Sequence, residues 1–247
     1  MTSPSSEPRS SGETPLQTDG RPSEADVSSG SGDNSYVSFE PQPDSRPADV
    51  PWPLLAWPVP RSVVLRSETV ELRAAEQEDA EELFAALDDE RCWNHVAGRP
   101  ADPAAWCRLL QQRRTQGWHV WTVRQHGRVV GTTSYLEASV ADARLEIGST
   151  VYSPRVWATQ VNPETKLLLL THCFGELSVG RVQLKTDVRN TRSQRAIERL
   201  GATYEGTLRR YQRRTDGTVR DTVLFSIIAE QWPAVRRRLI ERLTTDS

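Results

Sequence analysis

The sequence predicts a mixed α/β domain, a central sheet with helices on both faces, preceded by a disordered N-terminal tail. Three observations carry this. Along residues 63–243 the apolar spacing switches repeatedly between alternation and a helical period of about 3.6 residues. The residues between those segments are helix caps and hairpin turns. Residues 1–49, by contrast, read like SPSSEPRSSGETPLQTDGRPSEADVSSGSGDNS. Such a composition cannot bury enough apolar surface to offset the entropy of ordering the chain.

The elements follow in order. Residues 50–62 contain PWPLLAWPVP, a Pro- and Trp-bearing strap expected to lie over a hydrophobic groove of the domain. TVELRAA alternates as a strand, and EDAEELFAAL places Ala80, Leu83, Phe84 and Leu87 at helical spacing. Asp102-Pro103 reads as an N-cap and first-turn proline opening a helix with Trp106, Leu109 and Leu110 on its inner face. WHVWTVRQ, RVVGTTSYLE and ARLEIGSTVYS are then three antiparallel strands, the first two joined by a turn at His126-Gly127. Asn162-Pro163 opens a further helix, whose Leu167–Leu170 run is apolar all round and predicts burial on more than one side. RVQLKTDV is a strand, and TRSQRAIERL a helix stopped by Gly201. Asp216-Gly217 turns a hairpin between ATYEGTLRRYQ and TVRDTVLFSII, and a last helix carries Trp232, Val235 and Leu239 on one face.

Charge and composition exclude several functions. With 31 Lys and Arg against 33 Asp and Glu, the formal net charge is −2, which gives no electrostatic case for bulk nucleic-acid binding. Nucleic acid through Arg209, Arg210, Arg213 and Arg214 therefore ranks last. No apolar run is long enough for a membrane span, and the N-terminus lacks the charged start and apolar core of a secretory signal. Cys92, Cys107 and Cys173 are odd in number and widely spaced, which argues against a disulfide framework or zinc site and fits a reducing cytoplasm. His95, His119, His126 and His172 show no metal-ligand spacing, so no metal is expected.

Three places could hold chemistry. In ARLEIGSTVYSP, strict alternation puts Leu145, Ile147 and Val151 on one face and Glu146, Gly148, Thr150 and Tyr152 on the other. Beneath a covered sheet, such a carboxylate has a raised pKa and can act as a base; on an open one it is merely a solvated polar side. In SPRVWATQVNPETK, a helix N-terminus with Asn162 as N-cap and Lys166 one turn in suits a phosphate, although Glu164 would satisfy the helix dipole without one. In LKTDVRNTRSQRAIERLGATYEG, Ser193, Ala196, Ile197 and Leu200 share an inward face, while Arg192, Arg195 and Arg199 face solvent. Asn190 and Ser193 meet at the carboxyl end of a strand, where open α/β sheets bind ligands.

On LRAAEQEDAEELFAAL, LEIGSTVYSP and TDVRNTRSQRAIERLGATYEGTLRRY, in that order, the chain resembles the GNAT acetyltransferases. It is most similar to their ribosomal-protein-alanine (RimJ/RimL-like) branch, over residues 63–243. The resemblance implies a sheet splayed after the fourth strand, with acetyl-CoA in the gap. Main-chain groups of Ser149, Thr150, Val151 and Tyr152 would bond the pantetheine as a pseudo-strand. Thr159, Gln160, Val161, Asn162 and the following helix would cradle the pyrophosphate. Asn190 would reach the pantetheine, Ser193 would lie near the thioester sulfur or a phosphate, and Lys166 and Arg195 would reach the phosphates.

The implied activity is acetyl transfer to a primary amine, a protein N-terminus or a small amine, by direct attack in a ternary complex. Glu146 matches the position of the base, and backbone N–H groups near Thr150 would steady the oxyanion. Two departures stand out. WATQVN, at residues 157–162, lacks the glycines of the family's phosphate loop. Ile197 replaces a tyrosine acid, which leaves Ser193 to protonate the leaving thiolate. The alternative is a non-catalytic acyl-CoA sensor with a degenerate phosphate loop.

Overall fold

The computed structural model describes residues 39–44 and 51–245; apart from 39–44, the tail expected over residues 1–49 lies outside them. The strap residues Leu55 and Val59 are buried in the main core, and Ala56 donates its N–H to the Leu177 carbonyl at 2.9 Å. Next come β1 (Val64–Arg66), β2 (Val70–Ala74) and the helices α1 (Ala80–Leu87) and α2 (Pro103–Thr115). Three strands follow: β3 (His119–Gln125), β4 (Arg128–Ser139) and β5 (Arg144–Tyr152). The chain continues with α3 (Val161–Gly175), β6 (Arg181–Asp187) and α4 (Thr191–Glu198), and finishes with β7 (Thr203–Arg213), β8 (Val219–Ile228) and α5 (Trp232–Thr245). β1 was not expected: at three residues it is too short to show a period.

The strands make one eight-stranded sheet in the order β1-β2-β3-β4-β5-β6-β8-β7. Neighbours are antiparallel except β5 and β6, which run parallel. The strand counted fourth in the sequence is thus β5. Local chemistry explains the punctuation. His126 and Gly127 both take positive φ, 48° and 77°, and close a two-residue hairpin between β3 and β4. The Asp102 carboxylate accepts from the Ala105 N–H at 2.6 Å and caps α2. Gly201, at φ 89°, ends α4 in the left-handed region, where a side chain would be strained.

Two cores lie on opposite faces of the sheet. On one, Leu169 and Leu170 of α3, Ile197 of α4 and Leu239 of α5 pack against Leu72, Trp121, Leu145, Val182 and Ile227. On the other, Leu83 and Leu87 of α1 and Trp106 and Leu110 of α2 pack against Val120, Val129 and Val151. Each fully buried leucine contributes roughly 1.5–3 kcal/mol of transfer free energy. The second core covers only the β2–β5 half. Beyond it, the same face of β6 and β8 carries Gln183, Lys185, Asp187, Arg220 and Thr222, a polar floor beside β5.

Candidate active site

The sheet forks between β5 and β6. Their ladder has three residue pairs, Arg144 with Arg181, Leu145 with Val182 and Glu146 with Gln183, and stops there although both strands run on. Glu146 therefore sits where the strands part. β5 stays paired with β4, but the register shifts between Thr132 and Ser134, opposite Ser149 and Thr150, and Ser149 takes φ 48°. This is a β-bulge, which inserts a residue and bends its strand.

The bulge overturns the alternation read from the sequence. Leu145 and Ile147 do face the α3 core, and Glu146 lies on the opposite face, where Leu136 is its partner on β4. Past Ser149 the faces exchange. Val151 joins the α1–α2 core, while Tyr152 packs against the α3 core. Thr150 also turns toward α3: its hydroxyl meets that of Thr133 at 2.7 Å and accepts from Lys166 Nζ at 3.1 Å.

Glu146 is buried, and burial pushes its carboxyl up to about 7 against the opposing pull of Lys185. Lys185 Nζ lies 2.8 Å from Glu146 Oε2 and 2.8 Å from Glu137 Oε2, and donates to the Tyr211 hydroxyl at 3.2 Å. The Lys185 cation is held charged by these partners, above its ordinary range. The result is a carboxylate close to its protonation midpoint at neutral pH, as a general base requires.

Gly148 gives that carboxylate its place. A Cβ there would come 2.5 Å from Glu146 Oε1 and 3.1 Å from Leu136 Cδ2. Gly148→Ala is expected to leave the fold intact, because the group displaced is the end of a flexible side chain. It should lower kcat by about a hundredfold, the scale of a 1 Å misplacement. Circular dichroism beside steady-state kinetics checks both halves of this statement.

Across the fork, the Asn190 corner is built on Asp187. The buried Asp187 carboxylate accepts from Arg214 Nε at 2.6 Å, Arg214 Nη2 at 2.8 Å and the Arg189 N–H at 2.9 Å. These bonds, above all those from Arg214, hold its carboxyl down at about 2. Arg214 is thus an interior partner rather than one of the surface cations the sequence suggested. The Asn190 N–H donates to the Asp187 carbonyl at 2.8 Å, and Asn190 Oδ1 accepts from the Ser193 N–H at 3.0 Å. The Asn190–Ser193 pair is therefore first a helix N-cap; Asn190 keeps its amide N–H₂ and Ser193 its hydroxyl for other partners. Ile197 is buried apolar surface and supplies no acid.

The loop between β5 and α3 keeps a glycine-like shape without glycine. Ala158 takes φ 59°, in the left-handed region that costs a residue with a Cβ about 1–2 kcal/mol. Gln160, not Asn162, is the N-cap of α3, and its side chain does not cap the helix. Asn162 lies one step inside the first turn, and Val161 is buried, so it offers only backbone. The Thr159 hydroxyl donates to the Val156 carbonyl at 2.8 Å and accepts from the Val161 N–H at 3.3 Å, holding the loop together. Ala158, Thr159, Gln160, Pro163, Arg242 and Leu243 line a hollow of about 370 Å³ at this uncapped helix start.

The two cations expected at phosphates have different surroundings. Lys166 is buried beneath β5 on Thr150, and burial lowers its amine to about 7. Lys166 is the sixth residue of α3, on the buried side of the helix, and here the core claims the side chain. Arg195 lines a second hollow of about 510 Å³, between α4 and the β7–β8 hairpin, with Gln194, Tyr204 and Phe225. Trp157 was not singled out from the sequence. Its indole N–H donates to the Tyr152 carbonyl at 2.9 Å, and the Arg192 guanidinium lies 4.3 Å from its ring centre, linking the two arms of the fork. A tryptophan inside a phosphate-loop motif was the available signal.

Comparison with known proteins matches the acetyltransferase (GNAT) domain family to residues 69–203, more than half of the chain. The chain belongs to the GNAT acetyltransferase family. The crystal structure of a T. thermophilus protein described as an acetyltransferase is similar to this GNAT enzyme. It is 33% identical with a TM-score of 0.67, over 76% of this chain and 100% of that one. The uncharacterized N-acetyltransferase YoaA of Bacillus subtilis (strain 168) is 23% identical, over 67% of this chain and 96% of its own length. Mycobacterium smegmatis RimJ, in complex with CoA-disulfide, shares the fold at 22% identity and a TM-score of 0.63, over 70% of this chain and 88% of that one.

As a GNAT enzyme, the protein is an N-acetyltransferase that uses acetyl-CoA and acts on an amine. Among the described residues, no helix is long and apolar enough to cross a membrane and no cluster could hold a metal ion. The residues at the fork fit the cosubstrate. The β5 edge past Glu146 has no strand partner on β6, as an amide-bearing arm needs, and the N-cap residue of α3 makes no side-chain capping bond, as a phosphate at the helix start needs.

Proposed function

We propose that the acetyl group passes directly to a primary amine, of a small molecule or a protein N-terminus, in a ternary complex with Glu146 as the general base. The position of Glu146 at the parting of β5 and β6, with its carboxyl raised to about 7, carries this reading. Acetyl-CoA supplies an activated acyl thioester. The chain's residues do the rest. Backbone groups of Ser149 to Tyr152 orient the arm, the α3 start and the Thr159–Asn162 loop receive the phosphates, and the Asn190 amide closes the other side. Glu146 takes the proton that the attacking amine must lose, and the free Ser193 hydroxyl stands nearest the role of proton donor on α4. The left-handed Ala158 supports the phosphate role, since the loop keeps the shape that glycine would give it. This weighs against the sensor reading, which the glycine-less loop had favoured.

The test is incubation with acetyl-CoA and a panel of primary amines and peptides, read by thiol release and by mass spectrometry of the products. Acetylated amine together with intersecting-line kinetics is expected. Absence of product from every amine, or an acetylated protein formed without acceptor, would overturn direct transfer.

A further inference from the structure

The face of the sheet that carries Glu146 also carries Arg220, which shares its side of β8 with Thr222, Leu224 and Ser226. The other charged groups of this floor are matched. Lys185 lies between Glu146 and Glu137, and Arg214 closes on Asp187. Arg220 is different. It is half-buried, its Nε donates to the Thr222 hydroxyl at 3.1 Å, and it forms no ion pair among the described residues. A guanidinium partly withdrawn from water without a carboxylate is unfavourable, and burial accordingly pulls its pKa down. Arg220 nevertheless feels the charge of Asp187, which Arg214 already holds, and then that of Glu146 across the floor, each stabilising the ionised form of the other.

Glu146 is level with Ser226 and the Arg220 side chain bonds back along β8 to Thr222, toward that level, so an acceptor whose nitrogen is at Glu146 can extend along the floor to this guanidinium. A guanidinium fork matches a carboxylate in a planar, two-bond geometry. We propose that the acceptor carries a carboxylate a few bonds from its amine, and that Arg220 holds this carboxylate while the amine faces Glu146. The inference rests on the N-acetyl-transfer reading above and narrows its substrate class. Charge complementarity favours it. Glu146 and Glu137 suit an ammonium, Arg220 suits the anion, and a zwitterion leaves nothing unmatched. A polycation would set its further charges against Lys185 and Arg220. The Tyr211 hydroxyl, bonded to Lys185 Nζ, lies on the same floor.

The experiment compares matched acceptors: glycine, β-alanine and γ-aminobutyrate against their amides, and peptides beginning with Asp against the same peptides beginning with Asn. With the full-length protein and acetyl-CoA, the carboxylate member of at least one pair should show kcat/KM about tenfold or more above its neutral partner, as for a hydrogen bond between charged groups. Arg220→Ala should abolish the ratio, since any change it makes through Glu146 falls equally on both members of a pair, and Arg220→Lys should restore part of it. The two arms tell a free amino acid from an acidic N-terminal residue. Calorimetry of the same amino acids on the CoA-saturated protein, wild type and Arg220→Ala, needs no turnover. Binding lost in the variant without acetylation of any acceptor supports the Arg220 site and sinks the transfer reading. Equal kcat/KM within every pair, or neither binding nor a ratio that depends on Arg220, overturns the inference.

Discussion

Glu146→Gln should lower kcat by roughly 10²–10⁴-fold, the usual worth of a positioned general base, while acetyl-CoA binding should stay near the wild-type value. The substitution keeps size and shape but cannot accept the proton. Wild-type kcat/KM should climb with pH through about 7, because burial raises the Glu146 carboxyl to that value and only its ionised form is a base. Lys185 and Arg220 pull the midpoint down from what burial alone would give, and Glu137 pushes it up. In the variant this limb should vanish, leaving only the slope set by deprotonation of the acceptor amine. A variant that keeps wild-type turnover across the pH range removes Glu146 from the mechanism.

Asp187→Ala should lower stability by about 1.5–3 kcal/mol, the scale of hydrogen bonds to a charged group, because the Arg214 left behind still reaches solvent. Asp187 is 2% exposed and receives two bonds from Arg214 and one from the Arg189 N–H. The pH dependence has a definite sign. Its folded pKa, about 2, lies below the unfolded value of about 3.9, so the contribution is complete at neutral pH and fades as pH falls toward 2. Urea unfolding of wild type and variant should show a gap that narrows between about pH 5 and pH 2. A gap that is constant with pH, or absent, would show that Arg214 and Asp187 are not coupled as the structure has them. Because the Asp187 carboxylate also holds the Arg189 N–H, next to Asn190, the variant should lose acetyl-CoA affinity as well.

Much of this was legible in the sequence. The caps at Asp102 and Gly201 and the turns at His126-Gly127 and Asp216-Gly217 are local signals, and the structure uses each where the residues announced it. Glu146 could be picked out because alternation before Ser149 is regular. What failed was whatever depends on contacts distant in sequence. Ser149 and Thr150 look like ordinary strand residues, and only their pairing with Thr133 makes a bulge that turns Thr150 and Val151 over. Lys166 looks like a helix-start cation until α3 is docked beneath β5. Lys185 and Arg220 lay in strands read for their apolar residues, so neither drew notice, although they set the charge around Glu146. The Asn190–Ser193 spacing was seen, but its first use is an N-cap, a role any helix start can ask for.

The three residue pairs joining β5 to β6 are a narrow spine for so wide a sheet. Past them, main-chain donors and acceptors on the two arms have no strand between them, and a guest with amides of its own can complete the pattern. With acetyl-CoA seated there as proposed, the cosubstrate would be a building member of the protein as well as a reagent. By mass action, whatever binds the native form alone deepens its stability in proportion to the logarithm of its concentration. The endurance of this enzyme in a cell is therefore tied to the supply of the metabolite it consumes.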